Sequence, residues 1–174
     1  MHTRRVECRG YLRDDGLWDI EGHLLDTKPY DLPNDDRPTG QIRAGDPLHE
    51  MWLRLTVNLD LEVLAVEAKT DFGPYGLCGD IVGNFQRLVG LRIASGWTQK
   101  TRRLLGGVEG CTHLVELLGP VATTAFQTIY PARAKRDALS PSKGKPGLID
   151  SCHAYRADGP VVKTRWPQHY TGGE

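Results

Sequence analysis

Arg13-Asp14-Asp15-Gly16-Leu17-Trp18-Asp19-Ile20-Glu21-Gly22-His23-Leu24 is the stretch that decides the fold. Asp15-Gly16 is a hairpin signal, because both residues tolerate positive φ in a tight turn. The chain alternates on either side of it. Over 4–13, Val6, Cys8, Gly10 and Leu12 oppose Arg5, Glu7, Arg9 and Tyr11; over 17–25, Trp18, Ile20, Gly22 and Leu24 oppose Asp19, Glu21 and His23. A period of two belongs to strands with one buried face, so a β-hairpin is expected. Outward from it, 48–57 alternates again, with Met51, Leu53, Leu55 and Val57 against Trp52, Arg54 and Thr56. Asn58-Leu59-Asp60 reads as a turn into 61–69, which is apolar on both faces and is expected as a central strand with Glu67 partly buried at its end.

The period changes after Tyr75. Ile81, Val82, Phe85, Leu88 and Val89 fall at helical spacing, with Asp80 as N-cap and Gly90 as stop. Trp97, Leu104 and Leu105 mark a second helix ended by Gly106-Gly107. Residues 111–129 mark a third, on which Leu114, Leu118, Val121, Ala125 and Ile129 share a stripe and Pro120 is expected to introduce a kink. The reading is an α+β domain over 1–130: an antiparallel sheet of about four strands, then three helices. Residues 131–174 are expected to form a basic, proline-bearing linker (131–147) and an irregular C-terminal arm that docks on the body or on a neighbouring subunit. Residues 26–47, rich in proline and glycine, read as a long surface loop of the kind that often carries function.

Composition narrows the function classes. Lysine plus arginine equals aspartate plus glutamate at 22 each, which gives no general attraction to nucleic acid or anionic membranes. It is also consistent with a homo-oligomer. No apolar run approaches a membrane span, and Met1-His2-Thr3-Arg4-Arg5 is not followed by the apolar core of a signal peptide. Cys8, Cys78, Cys111 and Cys152 lack CxxC spacing, which favours free thiols and a cytoplasmic setting.

Residues 111–129 contain no lysine or arginine, and Glu116 is their one carboxylate. His113, Glu116, Thr123, Thr124 and Gln127 lie in one stripe. Either the helix is buried on both sides, or the stripe lines a pocket where His113 and Glu116 form an acid–base pair. The glycine-rich segment 70–80 offers Asp71, Tyr75, Cys78 and Asp80, as chemistry or as turn and cap residues. Prolines stiffen Lys28-Pro29-Tyr30 and Asp46-Pro47-Leu48-His49. Trp18 and Trp52 are candidates for aromatic walls, and Arg54, Asp71, Thr123 and Gln127 for polar contacts to a substrate; each has a structural alternative in core or solvated surface.

Four blocks carry a resemblance over about residues 4–130: 13–22 (RDDGLWDIEG), 26–30 (DTKPY), 49–55 (HEMWLRL) and 110–120 (GCTHLVELLGP). Together they resemble a proteobacterial family catalogued as a domain of unknown function, some members of which are similar to γ-formaldehyde lyases of lignin-derived aromatic catabolism. The resemblance implies a cofactor-independent carbon–carbon lyase acting on a phenolic, phenylcoumaran-type small molecule. Lys28, Tyr30, His49, Tyr75, His113 and Glu116 are its candidate acids and bases. A partial likeness runs to iron–sulfur scaffold proteins of the IscU/NifU type, through Cys78-Gly79-Asp80 and Cys111-Thr112-His113. It implies the rival reading, a metal-binding module using Cys78, Asp80, Cys111 and His113. An interaction protein using the charge-poor helix is the third.

Overall fold

The structure, a computed structural model, describes residues 1–139 and 144–173, with residue 138 described by its backbone alone. The alternating segments form strands β1 (Thr3–Leu12), β2 (Trp18–Thr27), β5 (Pro47–Val57) and β6 (Val63–Phe72) of one antiparallel sheet in the order β1-β2-β5-β6. Two short strands, β3 (Leu32–Pro33) and β4 (Gln41–Ile42), pair within the long loop. The architecture is α+β, as the alternation followed by helical spacing implied.

The hairpin forms, but its turn differs from the expected two-residue type. Gly16 N–H donates to the Arg13 carbonyl at 3.1 Å and Arg13 N–H to the Leu17 carbonyl at 2.9 Å. Gly16 has φ +81°, and Asp15 is not in the left-handed region. This is a three-residue loop, a turn closed by a left-handed glycine. The strand expected to be central, β6, lies at an edge. Leu64 is exposed, and Glu67 points to solvent paired with Arg54. The apolar character of β6 reflects what covers its edge: Gln86 donates to the Val66 carbonyl at 2.6 Å, and Val63 exchanges backbone bonds with Leu91 and Gly90. That cover is the segment expected as the first helix. It is a 3-10 run, Gly76–Leu88, whose N-cap is Tyr75, so Asp80 lies inside it; Gly90 at φ +83° follows it, as expected.

Helix α1 (Trp97–Leu105) ends at Gly106 as its sequence implied. Helix α2 (Thr112–Leu139) passes through both Pro120 and Pro131, so the expected linker begins as helix; residues 140–143 of that linker lie outside the described residues. Proline at 131 removes one backbone donor without ending the helix. Leu114, Leu117, Leu118, Val121, Ala125 and Ile129 of α2 are buried in one cluster with Ile20, Leu24, Met51, Leu53 and Leu55 of the sheet. Two glycines let the helix lie close. A Cβ at Gly22 would fall 2.6 Å from Val121 Cγ2, and one at Gly10 would collide with Thr128 Oγ1.

The chain divides into two units, Met1–Ala134 and Lys135–Glu174. The second contains helix α3 (Pro160–Arg165), a buried Ile149 and Val162, and a Tyr155–Trp166 ring pair at 6.0 Å, with irregular chain between. Among the described residues no helix is long and apolar enough to cross a membrane.

Candidate functional site

The alternation that builds the core continues to the end of β2. Asp26 falls in phase with Ile20, Gly22 and Leu24 and is fully buried. Register places Arg4 of β1 opposite Asp26, and Asp26 opposite His49 of β5. The three therefore form a row across the sheet on its inner face, and the first turn of α2 lays His113 and Glu116 against that row.

A buried carboxylate must be paired or hydrogen-bonded, and Asp26 is. Arg4 Nε donates to Oδ1 and Nη2 to Oδ2, both at 2.8 Å. His2 Nε2 stands 3.2 Å from Oδ1 and His49 Nδ1 3.1 Å from Oδ2. Arg4 Nη1 pairs with Glu116 Oε2. His113 Nε2 lies 3.8 Å from Asp26 Oδ2, its ring centroid is 3.8 Å from that of His49, and its Nδ1 is 3.8 Å from Cys111 Sγ.

Burial raises the Asp26 carboxyl, but the Arg4 bonds and charge outweigh that and hold it below the ordinary range. The Asp26 bond raises Arg4 further. Burial, and next the His113 charge, push the His49 imidazole down to about 4. Burial and then Arg4 lower His113. Because an ionised carboxylate only accepts, His49 must carry its proton on Nδ1 to bond Asp26, which leaves the Nε2 lone pair free.

Of the candidate site residues, His49, His113 and Glu116 meet here. Glu116, expected either to be buried or to line a pocket, is half exposed at 54%, with Arg4 as its partner. Arg54, a candidate substrate contact, lies on the opposite face of the sheet, paired with Glu67 and Glu21. Trp52 is on that outer face too, stacked on His23 with centroids 3.7 Å apart, whereas Trp18 packs against the core. The two tryptophans thus belong to opposite faces. Trp52 and Arg54 border a cleft of about 470 Å³ with Val82 and Gln86. Asp71, Tyr75 and Cys78 line another concavity of about 320 Å³. Lys28 sits 5.6 Å from the Tyr30 ring centroid, in the long loop. Asp80, Thr123 and Gln127 lie outside the row; Thr123 and Gln127 are exposed, and Thr123 bonds back to the Gly119 carbonyl.

The rival metal set does not assemble as one group among the described residues. Cys111 and His113 adjoin, and His113 groups with Asp26 and His49. Sequence reasoning misses Asp26, Arg4 and His2, because Asp26 reads as the opening of the proline-rich loop. The signal that could have found two of them is phase: Arg4 continues the Cys8–Gly10 face and Asp26 the Ile20–Leu24 face, both polar groups at core positions.

The fold and site define an α+β protein with a buried, arginine-clamped Asp–His centre where helix meets sheet. The chain belongs to a family of proteins of unknown function (DUF2889), whose model matches residues 2–127. No curated protein and no solved structure matches the chain.

Proposed function

We propose that the chain is a lyase that releases formaldehyde from a phenolic, phenylcoumaran-type aromatic by acid–base chemistry at the Asp26–His49–His113 centre. The observation that carries this reading is the pair of adjacent imidazoles, one held by a buried carboxylate in the tautomer that leaves Nε2 free.

The reaction needs two proton acceptors. One takes the phenol proton, so that electron flow through the ring expels the ether oxygen as phenoxide and leaves a quinone methide. The other takes the hydroxyl proton of the CH₂OH arm. The carbon–carbon bond then breaks, its electron pair forms the new alkene and rearomatises the quinone methide, and the carbon departs as formaldehyde. The two protons return to the two phenolate oxygens, so the products are a stilbene-type diphenol and formaldehyde, with no net oxidation. His49 and His113 supply the two acceptors; burial lowers both imidazoles, and the Asp26 carboxylate opposes that lowering at each. The cluster meets solvent at Glu116 and His2, which are 54% and 38% exposed.

The test is formaldehyde release and stilbene absorbance from a phenylcoumaran-type dimer with chelator-treated protein. Release is expected with the free phenol and not with its methyl ether, and His49→Gln should slow it by about 10² or more. No formaldehyde from the wild-type chain, or an unimpaired His49→Gln protein, would overturn the reading.

A further inference from the structure

We propose that Asp26, His49 and His113 also bind one divalent first-row transition cation of the zinc class. The first argument is geometric. Two ligands bonded at about 2.0–2.1 Å with tetrahedral angles stand roughly 3.3 Å apart. Asp26 Oδ2 is 3.1 Å from His49 Nδ1 and 3.8 Å from His113 Nε2, and the ligand atoms of all three residues lie within 4.8 Å of one another. A cation therefore fits with only small side-chain movements.

The second argument is rigidity. The ligands come from two paired strands and the first turn of a helix packed on them. The carboxylate is aimed by Arg4, whose two bonds leave Oδ2 with lone-pair capacity; hydrogen-bonding partners of this kind hold a ligating carboxylate in place. The third is donor chemistry. Two imidazoles and one carboxylate suit zinc, cobalt or ferrous iron, and are poor for calcium or magnesium, which take oxygen. Three protein ligands leave a position open. The cation meets favourable charge, since the carboxylates of Asp26 and Glu116 together outweigh the Arg4 guanidinium. Cys111 Sγ approaches His113 at Nδ1, the nitrogen turned from Asp26, so it is a neighbour of a ligand.

Binding through His49 Nδ1 displaces the proton that this atom shares with Asp26. The cation thus removes the tautomer on which the acid–base chemistry depends, and zinc should switch formaldehyde release off. That second statement rests on the proposed function; binding itself does not.

The experiment uses the full chain, stripped with chelator and dialysed. Zinc titration by calorimetry and cobalt titration by visible absorption should each show one ion per chain, with cobalt bands of a four- or five-coordinate site. His49→Gln and His113→Gln should weaken zinc by at least about 100-fold, with folding checked by circular dichroism. Cys78→Ser should leave affinity unchanged, and magnesium should not compete. Absence of saturable one-to-one binding, or full binding in both folded histidine variants, overturns the proposal. Zinc binding by a chain that releases no formaldehyde in any state would sink the lyase reading and leave the metal site standing. Formaldehyde release by a chain that binds no zinc would do the reverse.

Discussion

Asp26 contributes nothing to the solvent-exposed surface, yet Arg4, His2 and His49 converge on its two oxygens. Removing its charge leaves Arg4, which is itself one-third exposed, without its main partner, and losing such a part-buried charged bond typically costs about 1–3 kcal/mol. Asp26→Asn should lower stability by that order in urea unfolding and also release His49 to the other tautomer. The same group gives a pH dependence. His49, at about 4 in the folded protein, binds its proton more readily when unfolded. Stability of metal-free protein should therefore fall as pH drops from about 6.5 to about 4, by on the order of 3 kcal/mol. Asp26 adds a further loss at lower pH: its stabilisation is complete above its unfolded value and disappears as pH falls through its depressed folded value. Urea unfolding at several pH values should show the first slope in the wild type and a flatter one in His49→Gln. An unchanged slope would mean that His49 is not buried neutral.

At the scale of elements, β2 and α2 meet through the absence of a side chain. Gly22→Ala would put a methyl group into Val121 and within 3.5 Å of Leu117 Cδ2, and overpacking of this kind costs about 1–3 kcal/mol. Thermal melting should register the loss, and Gly22→Ala combined with Val121→Ala should recover part of it. Period two and period 3.6 make the four strands and α1 legible in the sequence, because burial of one face forces those periods. The 3-10 form of 76–88 is not legible there, since Ile81, Val82, Phe85 and Leu88 suit either helix. The reach of α2 past Pro131 is hidden because proline there reads as punctuation. The edge position of β6 is hidden because the segment that covers its edge comes later in the chain. Of the site, His113 and Glu116 stand out as polar groups in the lysine- and arginine-free stretch 111–129, and His49 through the proline that stiffens its segment. Arg4 and Asp26 do not, because pairing across strands is a property of register.

For the molecule as a whole, the sheet, its helices and the Asp26 row lie within the first of the two units, apart from the last residues of α2. A chain ending at Leu139 should therefore keep its fold and its zinc stoichiometry, with a melting temperature close to that of the full protein, checked by circular dichroism and calorimetry. Collapse of the truncated chain would show that the C-terminal unit is required for folding.

Arg4 has a consequence that belongs to time as well as space. It stands on β1, an edge strand of the sheet, yet grips β2 and the opening turn of α2 at once. Edge strands open more readily than central ones, and segments open as cooperative units. Each opening of β1 must therefore dissolve the clamp on Asp26, so the centre is assembled only while the edge is shut. Amide hydrogen exchange should show Arg4→Gln accelerating the start of β1 and the first turn of α2 together, with the middle of β5 still slow. The lifetime of the closed edge then sets the longest interval over which the centre can hold a ligand.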